Sequence, residues 1–268
     1  YVVVPNAVSA KQVRATVDLL WEFTEMYPND PESWNRPQML DHAMKELNNS
    51  GMVEIYNHQT LWDNRQTQRV YDAFVDIWDR TDLWVSIDRA NLNTPNTGKR
   101  AFDGFIHWDA DTTSDPLPIN VQGVLSLVDT TDDMGGFQCV PDLFANFEDW
   151  RKTAPKDCDP FRPDMENVPY PPKRIAMKAG DLVIFNSLLA HGIRANRSDQ
   201  PRIAQYISMA PATPEEQELV DWRVKSWSER LPARGHAFPG DPRNWEQTKY
   251  DRAELTPLGE KLLGKTAW

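Results

Sequence analysis

Gly104-Phe105-Ile106-His107-Trp108-Asp109 sets a histidine and an aspartate two residues apart. On an extended strand that spacing sends both side chains out of one face, with Cα atoms roughly 6.5 Å apart. A second stretch, Gly180-Asp181-Leu182-Val183-Ile184-Phe185-Asn186-Ser187-Leu188-Leu189-Ala190-His191-Gly192, adds a distant histidine after an apolar strand. His107, Asp109 and His191 together make a two-histidine, one-carboxylate donor set, which holds Fe(II) on one face and leaves positions open. A lone His-x-Asp carries little weight, since chance produces it often. The second stretch is what raises it. The other histidines, His42, His58 and His236, read as surface or hydrogen-bonded core residues.

Beyond His191 comes a turn, Ala195-Asn196-Arg197-Ser198-Asp199-Gln200-Pro201, and then a strand opening on Arg202. If the strands on either side form an antiparallel hairpin, Arg202 pairs near Arg194, three residues or roughly 10 Å from His191. A five-carbon dicarboxylate chelating a metal near His191 would reach a guanidinium there, and the planar fork of arginine holds a carboxylate bidentately. The competing role for Arg202 is a surface ion pair, which is the expectation for Arg194 and Arg197.

The chain around these stretches has 268 residues, 40% of them hydrophobic, enough for one large core. Its formal charge of −11 makes nucleic acid and anionic membranes poor partners. Two cysteines, Cys139 and Cys158, suggest neither a disulfide framework nor a zinc knuckle. With no apolar run of spanning length and no signal-peptide pattern, a reducing cytosol is expected.

Ser9-Ala10-Lys11-Gln12 is a capping-box pattern opening a helix expected over about 10–26. A second helix is expected over about 37–48, and Tyr71, Phe74, Val75 and Trp78 mark the face of a third. From about residue 84 the texture changes to short strands: 83–92, 119–128, 137–140, 173–177, 182–185, 188–193 and 203–209. Such a series argues for a sandwich or barrel with the helices packed outside. The Pro-rich insert 155–172 reads as a lid or an ordered surface loop. Thr213-Pro214-Glu215-Glu216 caps a last helix to about Glu229, and the tail from Leu231 is expected to wrap the surface. The expected organisation is one domain over 1–268. Its helical part covers about 1–82, its β core about 83–210, and a C-terminal helix and tail the rest.

The pattern His107-x-Asp109, then His191, then Arg202 resembles the phytanoyl-CoA dioxygenase-like (PhyH) family of Fe(II)/2-oxoglutarate oxygenases. The surrounding frame is similar too: Gly135-Gly136-Phe137-Gln138-Cys139-Val140-Pro141, Ala179-Gly180-Asp181-Leu182-Val183-Ile184-Phe185, His191-Gly192 and Asn196-Arg197-Ser198. The resemblance implies a mainly β fold with flanking helices, built on a double-stranded β-helix (jelly-roll, cupin-like) core. It implies His107, Asp109 and His191 as iron ligands, and Arg202 on the distal carboxylate of 2-oxoglutarate. The reaction implied consumes O2, releases succinate and CO2, and oxidises a C–H bond of a small substrate. Halogenases related to this family lack the carboxylate ligand, so Asp109 favours hydroxylation, desaturation or a similar oxidation.

Other pocket residues follow from strand alternation. Asn120, Gln122 and Ser126 share a polar face, so Gln122 is a candidate contact for the C1 end of 2-oxoglutarate, with a solvent face as the equal alternative. Arg202, Ala204 and Tyr206 share another face, which makes Tyr206 a lining candidate. Asn91 and Arg89 resemble the family's strand leading into the site, and Asn91 is taken as a further co-substrate contact. Trp108 should point away from the metal. The acidic balance argues against a CoA thioester, and the eleven tryptophans weakly favour a small, partly apolar substrate. Two alternatives remain open: a non-catalytic jelly-roll binding protein that retains a metal, and a cupin-like metalloenzyme that uses no 2-oxoglutarate. Arg202 is the feature that separates them. The sequence does not define the oligomeric state or the substrate.

Overall fold

A computed structural model describes residues 1–34, 47, 50–96, 102–155, 158–232 and 239–268. Strand β1 (Val2–Val4) leads into helix α1 (Ala10–Thr24). At the helix start the capping box forms: Gln12 N donates to Ser9 Oγ (3.3 Å) and Ser9 N to Gln12 Oε1 (3.1 Å). Val13, Leu20 and Phe23 then fall on one buried face, at the spacing that a 3.6-residue period demands. Next come α2 (Pro31–Trp34), β2 (Met52–Val53), α3 (Gln59–Arg65) and α4 (Gln68–Trp78). The helix expected over 37–48 lies outside the described residues except for Leu47, which is buried.

The β core consists of β3 (Leu83–Val85), β4 (Ala90–Asn93), β5 (Val121–Ser126), β6 (Phe137–Cys139), β7 (Lys173–Arg174), β8 (Leu182–Asn186), β9 (His191–Ile193), β10 (Arg202–Tyr206) and β11 (Met209–Pro211). Two short helices, α5 (Pro141–Ala145) and α6 (Phe147–Thr153), lie between β6 and β7. A six-stranded sheet has the order β1-β8-β5-β10-β4-β2, and a three-stranded sheet has the order β7-β6-β9. Strands β11 and β3 pair separately, and every pairing is antiparallel.

Alternation along the large sheet divides its two faces. Leu125, Leu182, Ile184 and Ile203 pack into a core shared with Leu20, Phe23, Leu61 and Phe74 of the helices. Their neighbours Val124, Val183, Phe185 and Ala204 join Phe137, Cys139, Ile175 and Met177 in a second apolar layer between the two sheets. Each fully buried side chain of this size stabilises the fold by roughly 1.5–3 kcal/mol. The result is the expected jelly roll, with α1, α3 and α4 packed on the outer face of the large sheet.

The structure corrects several expectations. The run 83–92 is not one strand. It pairs first with β11 and then, after a break at 86–89, with β10. Within the break, the Asp88 carbonyl accepts from the buried Arg65 Nη2 (2.6 Å), not from a neighbouring strand. The helix after β11, α7 (Gln217–Glu229), starts at Gln217 without a side-chain cap, not at the Thr213 cap, and it is not the last helix. The tail also does more than wrap the surface. Its helices α8 (Trp245–Thr248) and α9 (Pro257–Leu263) insert Glu246, Leu262 and Leu263 into the interior. No helix among the described residues is long and apolar enough to cross a membrane.

Candidate metal centre

His107 lies on a short extended run beside β9. Gly104 bridges Arg194 and His107 bridges His191. Backbone bonds from His107 N to His191 O (2.8 Å), His191 N to His107 O (2.9 Å) and Phe105 N to Ile193 O (3.1 Å) hold the run in register. The two histidines are therefore direct cross-strand partners on one face, with ring centroids 4.5 Å apart. Gly192 permits this approach, because a Cβ there would sit 1.9 Å from Phe105 O.

Asp109 completes the group. Its Oδ1 is 3.1 Å from His107 Nε2 and its Oδ2 is 3.3 Å from His191 Nε2. One potential ligand atom from each of the three residues lies within 4.8 Å of the others. Burial raises the Asp109 carboxyl, but hydrogen bonding to His107 and His191 outweighs it and holds the group well below the usual carboxylate range.

The donor set can be tested against a cation from its own chemistry. His191 Nδ1 lies 2.9 Å from the Leu189 carbonyl, which can only accept, so Nδ1 carries the proton. Nε2 is therefore the atom that faces Asp109 Oδ2, 3.3 Å away, as a hydrogen-bond donor without a metal and as a lone-pair ligand with one. Two imidazole nitrogens and a carboxylate oxygen converging in this way fit a divalent metal.

Arg202 opens β10 and is 3% exposed, which excludes the surface ion pair. It does not pair with Arg194 in a hairpin. Strands β9 and β10 lie in different sheets, and Arg202 stands opposite Asn93 of β4. The turn between them is committed elsewhere: Asn196 Nδ2 donates to Asn93 O (3.0 Å) and Gln200 O (2.8 Å). Arg194 is not a surface residue either. Its buried guanidinium donates to the carbonyls of Asp132 (3.1 Å), Phe137 (2.7 Å) and Thr131 (3.0 Å).

A cavity of about 350 Å³ between the sheets brings His107, Asp109, His191, Arg202, Gln122 and Tyr206 together. Asn91 does not line it, and instead its Oδ1 accepts from Arg202 Nη1 (2.9 Å). Tyr206, its phenol pushed up by burial, lines the cavity beside Arg202. Phe105, Phe137 and Phe185 supply the apolar wall, whereas no tryptophan lines the cavity. Sequence reasoning missed Ser208, although it continues the period-two face of Arg202, Ala204 and Tyr206. It also missed Asp88, beside the candidate Arg89 in the break before β4.

Trp108 points away from the cavity. It is buried against Phe147 and Trp150 of α6, with centroids at 6.2 and 5.1 Å. The Pro-rich insert braces this side of the site: Trp108 N donates to Phe161 O (2.8 Å), and Thr112 Oγ1 to Pro160 O (2.8 Å). Its residues Pro160 and Phe161 hold the segment that carries Asp109.

The phytanoyl-CoA dioxygenase (PhyH) family model matches residues 1–204. A Dictyostelium discoideum relative, provisionally named as a phytanoyl-CoA dioxygenase, is 23% identical over 257 residues, covering 80% of this chain and 73% of its own. Among solved structures, GIG2 (DUF1479) of Candida albicans has a TM-score of 0.65 at 13% identity, covering 98% of this chain and 73% of that one. The epimerase SnoN in complex with Fe3+, α-ketoglutarate and nogalamycin RO has a TM-score of 0.51 at 17% identity, covering 79% of each chain. The two structures share the fold with this chain. With the family match spanning 1–204 and the His-x-Asp and His donor set assembled, the chain belongs to the phytanoyl-CoA dioxygenase (PhyH) family, of Fe(II)/2-oxoglutarate oxygenase type.

Proposed function

We propose that this protein couples oxidative decarboxylation of 2-oxoglutarate to hydroxylation, or a related C–H oxidation, of a small organic substrate that is not a CoA thioester. The observation that carries the reading is one cavity holding both the His107/Asp109/His191 cluster and the buried guanidinium of Arg202. A structural metal would not need that arginine, nor would a cupin-like enzyme working without the co-substrate. SnoN, which shares the fold, has been crystallised with Fe3+ and α-ketoglutarate, and this supports the reading.

His107, Asp109 and His191 would hold Fe(II), which when bound supplies the activation of oxygen. The protein's own residues do the rest. Leu189 O fixes the His191 tautomer so that Nε2 faces the metal. Arg202 receives the distal carboxylate of 2-oxoglutarate, and Asn91 Oδ1 holds its guanidinium in place. Gln122, on the wall formed by β5, is the candidate partner for the other carboxylate. Phe137 and Phe185 pack against His191, with ring centroids 5.8 and 4.4 Å away, and keep water from its ring.

The test is anaerobic addition of Fe(II) and 2-oxoglutarate, which should give the visible charge-transfer band of the chelate. Succinate release in air should vanish in His107→Ala and Asp109→Ala. A wild-type protein that binds iron without the band, or either variant turning over normally, would refute the proposal.

A further inference from the structure

We propose that Asp88 and Arg89 form the primary-substrate subsite, and that the substrate is a small zwitterion with a carboxylate for Arg89 and a cationic nitrogen for Asp88. The inference rests on the oxygenase reading and adds to it the substrate class.

The two side chains line the same cavity as the metal cluster and Arg202, and pair with each other, Arg89 Nε to Asp88 Oδ1 at 3.0 Å. They are partly open, at 16% and 33% exposed. Their backbone is held from two sides. Arg65, wholly buried, donates from Nη2 to Asp88 O (2.6 Å), and Tyr206 N donates to Arg89 O (3.1 Å). Asp88 Oδ1 also accepts from Arg89 N (2.7 Å), which fixes the carboxylate against the turn. The pair is mostly buried, so its geometry is fixed by its surroundings. Held this rigidly in a cavity wall, it is preorganised for a guest.

Charge balance selects the guest. Among the described residues that line the cavity, Asp109 and Arg202 with a divalent iron and a doubly charged 2-oxoglutarate come to zero, and so do Asp88 and Arg89. A substrate with net charge would be uncompensated between the phenylalanines of the opposite wall. An apolar one would strip water from Asp88 and Arg89 without replacing their hydrogen bonds. A zwitterion avoids both costs, because each pole meets its opposite. Size points the same way: about 350 Å³ is near the lower end for ligand pockets, and 2-oxoglutarate shares it.

The test uses the anaerobic Fe(II)·2-oxoglutarate complex and calorimetric titration with L-amino acids and N-methylated betaines. Each zwitterion is matched with its des-carboxy amine and its des-amino acid. At least one zwitterion should bind and perturb the charge-transfer band, with both truncated partners about ten- to a hundredfold weaker, the worth of a charged hydrogen bond. Arg89→Met should weaken that zwitterion by a similar factor while the band and the 2-oxoglutarate affinity stay at wild-type values; Arg89→Lys should recover part of the loss. Truncated partners binding equally well, an unaffected Arg89→Met, or no zwitterion binding to a complex with an intact band would each overturn the proposal. Absence of the band in the wild-type protein would overturn the oxygenase reading, and this one with it.

Discussion

Replacing Gly192 with alanine tests whether the two histidines meet because of one close backbone approach. The added Cβ would lie 1.9 Å from Phe105 O and 2.8 Å from its carbonyl carbon. A carbon–oxygen contact needs roughly 3.3 Å, so the run carrying His107 must retreat by roughly 1.4 Å. The three backbone bonds across this pair, now 2.8, 2.9 and 3.1 Å, would then stretch past about 4 Å and cease to be hydrogen bonds. His107 and Asp109 both ride on that run, so together they draw away from His191 Nε2, now 3.3 Å from Asp109 Oδ2. A misplacement of about 1 Å at a reacting centre costs on the order of a hundredfold in rate.

The assay is Fe(II) affinity by anaerobic titration, with succinate release alongside and circular dichroism and thermal melting to show the fold is kept. Gly192→Ala should lose at least about a hundredfold in turnover and bind Fe(II) weakly while still folding. Gly240→Ala serves as the control. Unlike Gly192 it sits at positive φ (+84°), but no described atom lies within 4 Å of its added Cβ, so only stability should fall, by about 1–2 kcal/mol. A folded Gly192→Ala protein with wild-type iron affinity and turnover would refute the reasoning.

Arg202→Ala should raise the Kd of 2-oxoglutarate by about a hundredfold or more and leave that of iron nearly unchanged, since it removes a bidentate charged pair remote from the metal; equal losses in both titrations would argue for a structural role. Arg194→Met removes a donor from three carbonyls, of which Phe137 O and Thr131 O keep Ile175 N and Met134 N, so denaturant melts should show a loss of roughly 1–3 kcal/mol. Burial pushes Glu246 up to about 7 from 4.5, even though Tyr56 N and Asn57 N donate to it. The folded chain therefore holds this proton more tightly than the unfolded one. The group's stabilising contribution is complete below about pH 4.5 and lost as pH rises through 7, a change of roughly 3 kcal/mol. Glu246→Gln should flatten the dependence of the melting midpoint over that window, and an unchanged slope would show that another group controls it.

His107, Asp109, His191 and Arg202 were legible because each sits in a short pattern whose period and flanking turns are local. The geometry joining them was not. A strand, a polar turn and another strand look alike whether the chain folds back as a hairpin or crosses to the facing sheet. Here Asn196 spends its amide on Asn93 and Gln200 carbonyls, and the crossing wins. Arg194 shows the same limit: the carbonyls that bury its charge come from residues 131, 132 and 137, which no local window connects to it. The cavity's phenylalanines stood in plain view, in Gly135-Gly136-Phe137 and Val183-Ile184-Phe185. Only sheet-on-sheet packing turns them, and not the tryptophans, towards the metal.

The register of β10 ties the helices to the chemistry. Arg202, Tyr206 and, beyond the strand, Ser208 face the cavity, while Ile203, Gln205 and Ile207 face the helices. Apolar residues alone would specify that choice weakly, because Ala204 is small enough to be buried on either side. Gln205 makes it discrete. Its Oε1 accepts from Asn64 Nδ2 (2.8 Å) and its Nε2 donates to Leu61 O (3.0 Å), all within the buried core. A slip of one residue would strand both polar groups without partners and turn Arg202 towards the helices. The amide lock on the helical side therefore protects the position of the arginine on the other, so the outer helices hold the proposed co-substrate contact in place without lining the cavity.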